Sequence, residues 1–159
     1  MKKLTALVSA IALTSAFGAT AFAADIYVVN FRNATDTNSQ QLDSQLASAL
    51  AISGVNAEEV VIDTSTAAKW EKGAHEAFDR DIVPVFNQWV GLPGFAAVVD
   101  AKTKRVIGCV NSTFSANEMA EKIRQMASKS SGSAYLSRAS VSTKTTRCPA
   151  AHNVDPLGN

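Results

Sequence analysis

Apolar residues recur along this chain in two rhythms, one suited to strands and one to helices. Asp25-Ile-Tyr-Val-Val-Asn-Phe31 is a nearly continuous run of β-branched and aromatic residues bounded by polar positions, which predicts a strand buried on both faces. After a polar, turn-like stretch over 32–39, Leu42, Leu46, Ala49 and Leu50 fall at helical spacing, predicting a helix from Asn38 to about Ile52 with Gly54 as its stop. Glu59-Val-Val-Ile-Asp63 predicts a second strand. Trp70, Ala74, Ala77 and Phe78 then line one face of a helix running from Thr66 to about Phe78 and started by Ser65 or Thr66. Pro84 suits the first turn of a further short helix within 82–89.

Gly91-Leu-Pro-Gly94 signals a turn and feeds the apolar strand Phe95-Ala-Ala-Val-Val-Asp100. A polar turn over 101–104 and the run Arg105-Val-Ile-Gly-Cys-Val110 complete a hairpin. Ser115 caps a last helix reaching about Ala127, with Met119, Ile123 and Met126 on its buried face and Glu118 at the capping-box position. The order β-α-β-α-α-β-β-α predicts an α/β layered sandwich around a central mixed sheet of about four strands with flanking helices.

The N-terminus changes the setting. Met1-Lys2-Lys3 is a positive leader, Leu4 to Phe17 is an apolar stretch interrupted by Thr and Ser, and Ala21-Phe22-Ala23 is a small-x-small cleavage pattern, so residues 1–23 read as a secretory signal peptide cleaved before Ala24. A spanning anchor needs roughly 20 strongly apolar residues, which this run does not supply. Export places the mature protein in a periplasm or outside the cell, without stable membrane insertion. Removal of Lys2 and Lys3 turns 15 basic against 14 acidic residues into 13 against 14, a net charge of −1, which gives nucleic acid binding no bulk electrostatic support.

The domain proper spans 24–127, and 128–159 forms a Ser/Thr-rich, basic tail that is expected to stay flexible, because it has too little apolar area to offset its ordering entropy. Cys109 and Cys148 are the two cysteines, and in an oxidising compartment they default to an intramolecular disulfide that pins the tail near its end.

From about Asp25 to Ala127 the pattern resembles the thioredoxin fold, most specifically through Val90-Gly-Leu-Pro-Gly-Phe-Ala-Ala-Val-Val99. The resemblance implies that Pro93 is cis and faces the start of the first helix across a groove. Redox members carry Cys-x-x-Cys at that helix N-terminus, where the dipole and free N–H groups acidify the thiol. Here Asp36-Thr37-Asn38-Ser39 stands in its place, and Asn30 stands where redox members bury a carboxylate that moves protons. A serine hydroxyl cannot cycle through a disulfide. The four residues are good helix starters, which is the plain reading. The sharper reading makes Asp36, Thr37, Asn38, Ser39, Leu92 and Pro93 a groove where an extended protein or peptide partner docks.

The resemblance therefore implies a degenerate, non-redox, thioredoxin-like binding or assembly module. Small exported proteins of this kind look like accessory components of conjugative or integrative elements that attend secretion-channel or pilus assembly. The alternative is a thiol-disulfide exchange protein using Cys109 and Cys148 as an unconventional pair. Cys148 and His152 offer two ligands at a metal-compatible spacing but no third, so no metal or cofactor is expected. His75 is expected at the surface, and Trp70, Phe78, Phe86 and Trp89 in the core.

Overall fold

The computed structural model describes residues 23–130 and 147–151. The signal-peptide reading falls on residues outside that range, apart from Ala23, as do His152 and most of the tail.

Strand β1 (Ile26–Arg32) takes a central place, pairing parallel with β2 (Ala57–Asp63) and antiparallel with β3 (Phe95–Asp100). β3 in turn pairs antiparallel with β4 (Val106–Asn111), giving the order β2-β1-β3-β4. The protein is thus an α/β sandwich on a four-stranded mixed sheet, an arrangement compatible with the thioredoxin-like fold.

Side chains alternate between the faces of the sheet, so each strand feeds two cores. Ile26, Val28, Ala96, Val98 and Val110 meet Leu42, Leu46 and Ala49 of α1 (Thr37–Ser53) and Met119, Ile123 and Met126 of α4 (Ala116–Ser130). On the other face, Val29, Phe31, Val60, Ile62, Ala97 and Val99 pack under α2 (Ala67–Asp79) and α3 (Val83–Trp89). All six residues of β3 are buried. At the centre of the second core Phe31 stacks on Phe95 at 5.1 Å, and Trp89 meets both rings edge-on at 6.1 and 5.8 Å.

Local chemistry sets the helix ends. Asp36 caps α1, and Gly54, at φ 63°, stops it in the left-handed region that glycine enters without strain. Thr66 caps α2 by accepting the amide of Lys69 at 3.3 Å. Ser115 and Glu118 form a reciprocal capping box on α4, with Ser115 N–H donating to Glu118 at 2.8 Å and Glu118 N–H donating to Ser115 Oγ at 3.4 Å. Pro84 sits in the first turn of α3.

Three expectations are corrected. Trp70 and Phe78 are not core: they are 46 % and 73 % exposed, whereas Phe86 and Trp89 are buried. The helix α2 meets the sheet through its smallest residues, Gly73 and Ala77. A Cβ on Gly73 would already lie 3.4 Å from Ile62 Cα, and so close an approach turns the bulkier neighbours outward. The helix α4 continues to Ser130, three residues past the expected end. Finally, the Leu92–Pro93 bond is trans. The chain reverses here through Gly94, at φ 92°, whose N–H donates to Phe31 C=O at 2.9 Å, and the trans form is the lower-energy isomer wherever the turn does not require cis.

Cys109 and Cys148 form a disulfide with a Cα–Cα distance of 4.9 Å, and Trp89 Nε1 donates to Pro149 C=O at 3.1 Å. The segment 147–151 is thereby clasped against the second core, which Cys148 joins. By the chain-entropy account, a closed loop of this length stabilises by about 3–4 kcal/mol. Cys148→Ser is expected to lower urea-unfolding stability by about that amount, and reduced wild-type protein should unfold at the same denaturant concentration as the variant.

Candidate functional site

The loop after β1 and the turn before β3 meet at one end of the sheet. Asp36 leads into α1 with its Oδ2 accepting both the backbone N–H of Ser39 at 2.7 Å and the Ser39 hydroxyl at 2.8 Å. Ser39 Oγ in turn accepts the N–H of Asn33 at 3.2 Å. The loop is further tied by Gln40 Nε2 donating to Ala34 C=O and by Ala34 N–H donating to Ser65 Oγ, at 2.8 and 2.7 Å. These bonds tie the helix start to the end of β1 and to Ser65.

The glycine after Pro93 closes the approach. A Cβ on Gly94 would lie 3.1 Å from Asn38 Cβ and 3.2 Å from Asp36 Oδ2, so the proline turn lies directly against the first turn of α1. The structure thus brings Asp36, Asn38 and the Pro93-Gly94 turn together. Thr37, Asn38 and Pro93 are exposed, and Asp36 and Leu92 are half-buried. Ser39 is fully buried, with its hydroxyl engaged on both sides, so it contributes to the helix cap and offers no group to a docked molecule.

Cys109 lies elsewhere. It pairs in register with Ala97, in the interior of the hairpin and on the face covered by α2 and α3, and it is 3 % exposed. The disulfide belongs to the second core, against which Leu92 of the proline turn also packs.

Asn30, on the opposite face of β1, is 1 % exposed and donates through Nδ2 to Asp43 at 2.9 Å and to Glu59 at 3.0 Å. A neutral amide there holds two carboxylates and carries no exchangeable charge of its own. From Asp43 the network runs on to Arg32 at 3.1 Å, and then to Asp63, which also receives Lys69 at 3.0 Å. No protein family, curated protein or solved structure matches this chain.

Sequence reasoning missed a second polar feature. Lys69, Lys72 and Glu76 of α2 and Arg80 at its C-cap fall on one helical stripe and, with Arg32 of β1 and Glu59, Val61 and Asp63 of β2, line a groove of about 490 Å³ along the sheet edge. Their spacing of three, four and four residues was the available signal. His75 is exposed, as expected. Among the described residues no group of three or more His, Cys, Asp or Glu is placed to hold a metal ion, and no helix is long and apolar enough to cross a membrane.

Asp63 is the most heavily engaged carboxylate of this network. Burial opposes its ionisation, but hydrogen bonds from the hydroxyl and N–H of Ser65 and from Lys69, with the charge of Lys69, outweigh burial and hold its pKa below the ordinary value. A carboxyl depressed in the folded state adds stability above its unfolded pKa, and that stability is lost as the pH falls from about 4 through the folded value. Asp63→Asn is expected to cost about 1.5–3 kcal/mol at neutral pH. The gap from wild type should narrow as urea titrations are repeated below about pH 4.

Gly94 offers a test of the close approach. Gly94→Ala puts a side chain at φ 92° and against Asn38, and is expected to lower stability by about 1–3 kcal/mol. The amide signals of Asp36 to Ser39 should shift most. An unchanged unfolding midpoint would contradict the geometry.

Proposed function

We propose that this chain is an exported, thioredoxin-like protein of the periplasm that binds a protein or peptide partner at the proline turn and carries out no electron chemistry there. It serves as an assembly or binding module in conjugative transfer or secretion. The observation that carries the reading is the closed Asp36–Ser39 cap at the head of α1, with both cysteines of the chain joined to each other in the second core. What remains at the rim is Thr37, Asn38 and Pro93, exposed on a rigid support and able to take a partner by backbone and side-chain contact. The conjugative or secretion setting is supported by the resemblance to small exported accessory proteins, and the periplasmic address by the N-terminal pattern of charge, apolar run and small-x-small site.

The mature protein is expected to leave insulin disulfides unreduced in the presence of dithiothreitol, at the rate of buffer alone. Turnover that disappears in Cys109→Ser would overturn the non-redox reading in favour of exchange through Cys109 and Cys148. A photo-crosslinking side chain at Asn38 should trap a discrete adduct in the periplasmic fraction of expressing cells, whereas the same probe at the exposed Glu71 on α2 should not. A probe at Asn38 that traps nothing under native expression, or a chain that keeps residues 1–23 and stays in the cytoplasm, would sink the proposal.

A further inference from the structure

The outer edge of β2 is bare. Thr64 N–H donates to Arg32 C=O at 3.0 Å, so, by the alternation along a strand, Ile62 and Val60 turn their backbone groups toward β1, and Val61 and Glu59 turn theirs outward. No strand of the described residues pairs with that side. An open edge of this kind is ordinarily blunted by charge. Here the blunting is confined to the two ends. At one end Lys69 pairs with Asp63 at 3.0 Å, and at the other Arg80 Nε donates to Glu58 at 2.7 Å. Between these two guards the groove opens over Val61, an aliphatic residue 40 % exposed.

Two charges in the open stretch have no counter-ion among the described residues. Glu59 accepts from Asn30, a neutral amide, so its carboxylate is tethered without an ion pair, Arg32 of the same groove being engaged by Asp43 and Asp63. Lys72, on the α2 wall of the same groove, is in no ion pair. They border the edge from opposite sides: Glu59 projects to the α1 face of the sheet, while Lys72 belongs to the helix that covers the other face. Side chains of an added strand alternate between those two faces. The strand that fits therefore has a basic residue on one parity, opposite Glu59, an aliphatic residue opposite Val61, and acidic residues on the other parity, facing Lys72.

We propose that the β2 edge is a second docking surface, distinct from the proline turn, which takes a short extended peptide segment of a partner protein as a fifth strand. The guards limit the pairing to the few residues around Val61, and main-chain bonds from Glu59 and Val61 supply the attachment while charge parity supplies the selectivity. A second copy of this chain fits poorly. Antiparallel pairing of β2 with itself about Val61 sets Glu59 against Asp63 of the other copy, and like charges directly opposite destabilise a sheet.

The test uses a blocked peptide of sequence threonine-lysine-glutamate-valine-glutamate-lysine-threonine and its parity inverse, threonine-glutamate-lysine-valine-lysine-glutamate-threonine, which has the same composition. With the mature protein followed by backbone-amide NMR, the first peptide is expected to shift and protect the amides of Glu59 and Val61. The inverse should bind about tenfold more weakly, the sum of two or three cross-strand charge pairs. The double charge exchange Glu59→Lys with Lys72→Glu should reverse the preference. Val61→Pro, which deletes an outward N–H at a position where an edge strand tolerates proline, should abolish binding by either peptide. Should that variant fail to fold, the charge exchange decides alone. Equal binding of the two peptides overturns the proposal, as does protection of the β2 amides by concentration-dependent self-association without peptide. Shifts confined to Asp36 to Ser39 and Gly94 would also overturn it while leaving the proline-turn reading intact. Loss of that reading, conversely, leaves the edge untouched.

Discussion

The structure depends on β1 being buried on both faces and paired on both edges. A strand in that position is largely shut off from water, so it favours apolar side chains, and its buried polar residue, Asn30, has its Nδ2 satisfied by two carboxylates while its Oδ1 has no partner. Ile26, Val28, Val29 and Phe31 meet this demand by packing into two separate cores. Because β1 joins a parallel neighbour to an antiparallel one, it also fixes where the chain must cross over. The connection to β2 needs the full length of α1, and the return to β3 arrives from the opposite end after α2 and α3. The end of β1 therefore has both the start of α1 and the turn before β3 beside it, which is why Asp36 and Gly94 touch.

Much of this order was legible because burial imposes periodicity. The strands announce themselves as unbroken apolar runs, and α1 and α4 as stripes three and four residues apart. The apolar face of α2 was misjudged for a definite reason. Its contact line is made of Gly73 and Ala77, whose small size lets the backbone approach Ile62, and a rule that assigns large apolar residues to the interior selects the neighbouring stripe of Trp70 and Phe78 instead. Trp70 keeps part of that promise by meeting the ring of Phe86 at 5.8 Å from a half-exposed position. The extra turn of α4 was invisible because Ser128 to Ser130 have no apolar residue to mark a face. Neither the trans bond before Pro93 nor the sheet order is written in residue spacing. The charged stripe on α2 was visible as a stripe, but the strand edge it runs beside depends on the sheet order.

The disulfide and the head of α1 do different structural work. In an oxidising compartment a cysteine pair is either reactive and accessible or structural and covered. Cys109 lies in the interior of a hairpin, beside the clasp made by Trp89 and Pro149. Its bond holds down the one described segment beyond α4, so sulfur contributes to holding the chain together. At the head of α1, the same end of the fold that lowers a thiol's pKa in redox proteins is occupied by an aspartate whose carboxylate satisfies the helix N–H groups directly. The capping reading and the docking reading of that loop are compatible, since the atoms that make the cap are Asp36 and Ser39 while the exposed atoms belong to Thr37, Asn38 and Pro93.

Asn30 ties the quiet head of α1 to the charged edge of β2. A third carboxylate at this buried position would have confronted Asp43 and Glu59, each within hydrogen-bonding distance of the same point, and three acids so placed cannot all stay ionised. An amide reverses the relation: its NH₂ donates to both acids and needs no charge. With an amide at this position, Asp43 is left to pair with Arg32 and Glu59 is tethered beside the sheet edge. The same neutral side chain in β1 thus tethers a carboxylate of α1 and one at the β2 edge.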